Sequence, residues 1–111
     1  MSSPRRNERL TSVYRREVSL FIEREFKLQN TLIAVTGVTL SDNLNELRIM
    51  VSVWPDEKEN AVLKTLNDAK KEFRGYIGQK VRIKHVPEVS FELDETEKKR
   101  IQIESILKKI K

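Results

Sequence analysis

Few side chains in this sequence have catalytic chemistry to offer, and most of the reactive ones are cations. His85 is the single histidine and there is no cysteine, which leaves a zinc site, a thiolate nucleophile and a disulfide without the residues to build them. His85 sits among Lys80, Arg82 and Lys84 with no partner motif beside it, which fits a surface or half-buried strand histidine better than a general base. The carboxylate pairs Glu57/Glu59 and Asp94/Glu95 fall where turns and helix starts are expected, so capping and solvation account for them. Gly75 and Gly78 form a lone G-x-x-G with no lysine–serine pair to complete a phosphate loop. A G-x-x-G can also clamp a nucleic-acid backbone, but it then joins two helices. Here only Gln79 and Lys80 separate Gly78 from Val81, and Tyr76 and Ile77 stand where small or basic residues would admit a phosphate. Gly78 is therefore read as the left-handed C-cap of a helix. No enzyme, cofactor, metal or small-molecule substrate is expected.

The cations carry more information. Lys70, Lys71, Arg74, Lys80, Arg82 and Lys84 face one acid, Glu72, so this stretch holds a surplus equal to the +5 of the whole chain. A charge run is ordinarily a solvated face. This one differs because two adjacent elements are both basic and each also carries an apolar comb, the pairing a nucleic-acid surface requires. With Arg5, Arg6 and Arg9 near the N-terminus, and with His85, these residues form the candidate RNA-binding set. Trp54 and Tyr76 could stack on bases, although a tryptophan at a strand end is more often an anchor.

The elements that must position these groups follow from periodicity. Residues 1–7 are read as a mobile basic arm. From Glu8 to Phe26, the apolar positions Leu10, Val13, Tyr14, Val18, Phe21 and Ile22 recur at helical spacing. Leu32–Leu40 is β-branched, and Leu47–Trp54 alternates with Leu47, Ile49, Val51 and Val53 on one side. The turn-forming residues 41–46 between these runs predict an antiparallel hairpin, and Gly37 suggests a bulge or a close approach by another backbone. Asp56 is placed to cap a helix whose face is Ala61, Val62, Leu66, Ala69, Phe73 and Ile77. Gly75 within it should cost about 1 kcal/mol relative to alanine. Val81 and Ile83 predict a third strand, interrupted by Pro87 and resumed at Val89, Phe91 and Leu93. Ile103, Ile106, Leu107 and Ile110 predict a basic amphipathic helix over residues 96–111. The order α-β-β-α-β-α calls for an antiparallel sheet with helices on one face. The chain divides into a domain over 1–95 and this tail.

These elements and residues together resemble the ribosome-binding factor A family over nearly the whole chain. The resemblance is carried by Arg74, Ile77-Gly78, Val81, Ile83-Lys84, Pro87-Glu88-Val89, Phe91 and Asp94. It is also carried by Val35 to Leu44 leading into Ile49–Val53, and by Arg6 and Arg9 at the start of the first helix. The resemblance implies an α+β domain of type II KH-like topology, with a three-stranded sheet and two helices joined by a kink instead of a G-x-x-G loop. The family makes that kink with Ala-x-Gly, whereas here the position reads Ala69-Lys70-Lys71. Either a kink forms at Lys70 without glycine or the pair becomes one curved helix. The resemblance further implies a cytoplasmic, monomeric, non-enzymatic factor in ribosome biogenesis and cold adaptation. Its partner would be the immature 30S subunit with its 16S rRNA, with ribosomal proteins or other assembly factors as further partners and no membrane. The alternatives are a general single-stranded-RNA KH domain, or a protein-interaction module using the hairpin edge or the C-terminal helix.

Overall fold

The computed structural model describes residues 4–26 and 28–96. Helix α1 spans Pro4–Glu25. Residues 4–7 thus belong to a helix and not to a mobile arm, and Pro4 suits the start because its missing N–H would have no intrahelical partner there. Tyr14, Val18, Phe21 and Ile22 make the buried stripe of α1, as the spacing predicts. Asn30, with φ 55°, adopts a left-handed conformation that asparagine tolerates and turns the chain into the sheet.

Strands β1 (Leu32–Leu40) and β2 (Glu46–Trp54) form the expected antiparallel hairpin. Their register shifts between Val35 and Gly37, which makes Thr36 the extra residue of a bulge. The bulge has a packing consequence. It keeps Val35 opposite Val51 and Val38 opposite Ile49, so both valines stay on the helix-covered side although they are three residues apart.

Strand β3 (Glu88–Leu93) pairs with β2 in parallel, so the sheet order is β1-β2-β3 and the sheet is mixed. The expectation of an all-antiparallel sheet fails here. The connection from β2 to β3 contains helices, and a crossover of that length returns the chain in parallel. The strand predicted at Val81 and Ile83 is also absent. Lys80 is the last residue of a helix, and 81–87 is an extended loop. The ladder begins only where Glu88 stands opposite Glu46, and 81–87 runs past the end of β2 with no strand to pair against. Alternation alone cannot separate such a loop from a strand.

Between β2 and β3 lie a short 3₁₀ turn (Asp56–Lys58), helix α2 (Glu59–Asp68) and helix α3 (Lys70–Lys80). Asp56 is the first residue of the 3₁₀ turn, behind its N-cap Pro55, and the N-cap position of α2 is held by Lys58. Val62, Leu66, Ala69, Phe73 and Ile77 are buried as predicted, while Ala61 is exposed. The helices break at Ala69, where φ is −94° and ψ 11°. An L-residue reaches this region without a left-handed turn, so no glycine is required. The Ala69 N–H is shared between the carbonyls of Thr65 and Leu66 at 3.2 and 3.1 Å, which tightens the last turn of α2.

The helices cover one face of the sheet, over a core of Leu47, Ile49, Val51, Val53, Val89 and Phe91. Both sheet edges are met by side chains. The Asn67 amide donates to the Phe91 carbonyl at 3.4 Å and accepts its N–H at 3.3 Å, imitating a strand partner on the free edge of β3. The Arg15 guanidinium reaches the Val35 carbonyl on β1 at 3.5 Å. The helix expected over residues 96–111 lies outside the described residues.

Candidate nucleic-acid interface

A groove of about 1120 Å³ opens where four segments meet: the start of α1, the hairpin turn, the end of α3 and the loop 81–85. Leu10 of α1, Leu44 of the turn, and Val81 and Ile83 of the loop supply an apolar floor that packs onto the core, and Val13 lines the groove beside them. Tyr14 closes it from below, and burial pushes its hydroxyl up from the ordinary tyrosine value. Arg9, Arg82, Lys84 and His85, all exposed, form the rim, and no carboxylate among the described residues lines the groove.

The hairpin turn is held in one shape. Leu44 has φ 64°, a left-handed conformation that costs a branched residue roughly 1–3 kcal/mol. It persists because the turn over-determines it. The Leu44 N–H donates to the Ser41 carbonyl at 2.9 Å, and the Asn45 N–H donates to Asn43 Oδ1 at 3.1 Å. The Ser41 hydroxyl donates to the same Asn43 oxygen at 2.7 Å while accepting the Glu46 N–H at 2.9 Å. These bonds keep Asn43 and Leu44 at the groove.

The loop 81–87 is held from beneath by Arg74. Its Nε donates to the Pro87 carbonyl and its Nη2 to the Val86 carbonyl, each at 3.0 Å, with Glu88 Oε1 3.6 Å from Nη2. A planar guanidinium presents its N–H groups as a fixed fork that matches two adjacent carbonyls, which an ammonium does not. Gly78 faces the same loop, and a Cβ there would come into van der Waals contact with Val86 Cγ2 at 3.4 Å. It is not the predicted left-handed cap: no glycine has positive φ, and α3 continues through it to Lys80.

The predicted cations therefore separate. Arg9, Arg82, Lys84 and His85 come together at the groove, with His85 in the loop and not in a strand. Arg74 lies beneath the loop and bonds its carbonyls. Lys80 turns into a second cleft between α1 and α3, where it and Arg24 stand 5.8 and 5.1 Å from the Tyr76 ring centroid. The Tyr76 hydroxyl donates to the buried Glu17 at 3.3 Å. Burial first, and then the Glu17 charge and hydrogen bond, push the hydroxyl up from its usual value. Tyr76 is half-buried, with its ring 5.3 Å from that of Phe21 and Arg24 and Lys80 over it on the cleft side. Lys70 and Lys71 follow the kink, roughly 13 Å along α3 from the groove end. Arg5 and Arg6 belong to the first turns of α1. Trp54 is exposed at the far end of β2, about 26 Å from the hairpin turn. Sequence reasoning missed Asn43, Leu44 and the α1 floor residues. The Ser-Asp-Asn turn signal was visible, but not its proximity to the loop 81–85.

Among the described residues no group of three or more metal-ligating side chains assembles, and no helix is long and apolar enough to cross a membrane. A three-stranded mixed sheet covered on one face by α1 and the kinked pair α2–α3 defines a KH-like α+β domain, here with a cationic groove at one end. The solved structures agree. The crystal structure of ribosome-binding factor A from Thermus thermophilus has a TM-score of 0.69 at 21% identity, covering 78% of this chain and 93% of that one. The solution structure of a Thermotoga maritima protein has a TM-score of 0.68 at 24% identity, covering 82% and 89%. The chain belongs to the ribosome-binding factor A family, whose sequence pattern matches residues 6–107. Among its relatives, ribosome-binding factor A of Thermodesulfovibrio yellowstonii is 35% identical over 100% of this chain and 95% of its own length. That of Syntrophomonas wolfei is 31% identical over 98% and 93%.

Proposed function

We propose that this protein is a ribosome assembly factor that binds the immature 30S subunit through its 16S rRNA and assists late rRNA processing in the cytoplasm. The observation that carries the reading is the convergence of Arg9, Arg82, Lys84 and His85 on one groove that no described carboxylate lines. Membership in the ribosome-binding factor A family supplies the class of target. Phosphates are met by the rim, while the clamped loop and the rigid turn fix its shape, so association combines charge neutralisation with fit to a particular rRNA surface. The protein holds and releases its target and carries out no bond chemistry of its own.

The test is sedimentation of the protein with isolated immature small subunits across a salt series. Affinity should fall steeply with salt, and each phosphate contact removed should flatten the logarithmic slope by about 0.7–0.9. Changing Arg82 and Lys84 to glutamate should weaken binding and flatten that slope. Unchanged affinity and slope would remove the groove from the binding surface.

A further inference from the structure

We infer that the end of the sheet remote from the groove, centred on Trp54 and Leu32, docks a lysine- or arginine-rich segment of another protein. These two residues stand opposite each other in the register of β1 and β2, close enough to form one surface. They are also the most exposed large apolar side chains among the described residues, at 48% and 67%. Their neighbours Val53 and Ile33 pack into the core, so Trp54 and Leu32 turn to the face of the sheet that the helices leave uncovered. An indole and an isobutyl group held side by side in water, within a charged rim, mark an interaction site.

The rim decides the partner. Asp56, Glu57 and Glu59 follow Trp54 directly, with Lys58 as the one base among them. On the other side, β3 ends with Leu93 opposite Val51, and Asp94 lies one residue further on. Its N–H donates to the Val51 carbonyl at 2.8 Å, and its carboxylate accepts the Thr36 hydroxyl at 2.6 Å. These bonds fix a carboxylate near the pair, and the exposed Glu95 follows it. Residues 54–59 and 94–96 together hold five acids and one base, a balance of −4 in a chain whose total is +5. Such a rim repels RNA phosphates and anionic lipid, and a symmetric second copy would bring two like rims together. A cationic protein segment is attracted. An arginine there can lay its guanidinium on the indole while its stem covers Leu32. Trp54 is about 26 Å along β2 from the hairpin turn, so this site and the groove can be filled at once, and neither depends on the other's ligand.

Trp54 is the only tryptophan, so its fluorescence reads the site directly. The experiment titrates the unmodified full chain with two synthetic peptides of equal length, one of arginine, glycine and leucine, the other with glutamate for arginine. In the free chain the emission should be that of a water-exposed indole at every protein concentration. The arginine peptide should shift it saturably and bind at least about tenfold more tightly than the glutamate peptide. With a labelled arginine peptide read by anisotropy at low salt, Trp54→Ala should lose about tenfold, and Leu32→Ser and Glu57→Gln about threefold each. Glu46→Gln, at the far end of β2, should lose nothing. Salt should erase the Glu57 effect and keep most of the Trp54 effect. Equal affinity for the two peptides, or equal losses from Glu46→Gln and Glu57→Gln, overturns the inference. Emission of a buried indole in the free chain also overturns it. If independent of concentration, that emission assigns the site to residues 97–111 of the same chain, and if concentration-dependent, to a second copy. A larger Trp54 shift with a short single-stranded RNA than with the arginine peptide would assign the surface to RNA and overturn it as well.

Discussion

Two clefts flank the packed pair α1 and α3, and they use their cations in opposite ways. In the groove at the start of α1, Arg9, Arg82, Lys84 and His85 surround an apolar floor and meet no carboxylate among the described residues that line it. In the cleft further along α1, Arg24 and Lys80 lie over the Tyr76 ring and share the walls with Glu17 and Glu23. The second cleft is compensated from within. Its cations have a ring quadrupole to face, worth about 0.5–1 kcal/mol each at exposed sites, and carboxylates nearby. The first cleft finds no counter-charge among the described residues that line it. Lys80 and Arg82 are neighbours in the basic run, yet they fall in different clefts because α3 ends between them. What a cation faces, and not how many cations surround it in sequence, decides whether it is available to a ligand.

The widest separation between the clefts should appear in paired charge reversals. Arg82→Glu with Lys84→Glu should lower affinity for immature small subunits by roughly 100-fold at low salt, whereas Arg24→Glu with Lys80→Glu should change it by only about threefold. Equal losses from the two pairs, read by sedimentation, would erase the distinction. Next in size is Arg74. Arg74→Ala leaves the Val86 and Pro87 carbonyls without their donors and should lower stability by about 2–3 kcal/mol in chemical denaturation. It should also weaken RNA binding while leaving the salt slope unchanged, because the Arg74 guanidinium is engaged by the loop carbonyls that position the rim. Arg74→Lys should restore little, since an ammonium lacks the fixed fork that meets both carbonyls.

Arg74 also shows where sequence reasoning stops. The helical stripe Val62, Leu66, Ala69, Phe73 and Ile77 and the alternation in β2 are local patterns, and each is buried as its spacing requires. The hairpin and the bulge at Gly37 were legible for the same reason. The fate of a cation is not local. Arg74 and Arg82 look alike in the chain, and only the return of residues 81–87 over α3 gives one of them two carbonyls and leaves the other at a groove rim. The loop has the pattern of a strand because Val81 and Ile83 bury their side chains in part, which is all that alternation reports. Whether a partner strand lies beside them depends on where β2 begins. The parallel pairing of β3 was hidden likewise, because it follows from the crossover and not from the residues of β3.

Tyr76 offers a smaller test on the compensated side. Tyr76→Phe removes the donor to Glu17 Oε1 and should cost about 1 kcal/mol of stability, with no change in RNA affinity. The sign of its pH effect is fixed by the raised value of the hydroxyl. The contribution is full below the unfolded tyrosine pKa and is lost as pH rises through the folded one, so the alkaline limb of a stability–pH curve should become shallower in Tyr76→Phe. A loss of RNA binding in this variant would show that the second cleft also takes part.

The smallest effect separates the groove from the kink. The family pattern Ala-x-Gly invites the view that the junction itself is the functional element, whereas Ala69 bends the chain here at φ −94° and ψ 11°. Because that conformation needs no glycine, Ala69→Gly adds freedom to the unfolded chain and removes a buried methyl without relieving strain. It should lower stability by about 0.5–1 kcal/mol and leave affinity for small subunits unchanged. Lys71→Gly, which completes Ala-x-Gly two residues beyond the bend, should behave in the same way. If either variant gained stability, the junction would be strained in a way its dihedral angles do not show. If either changed affinity while Arg82→Glu did not, the RNA surface would lie at the kink and not at the groove.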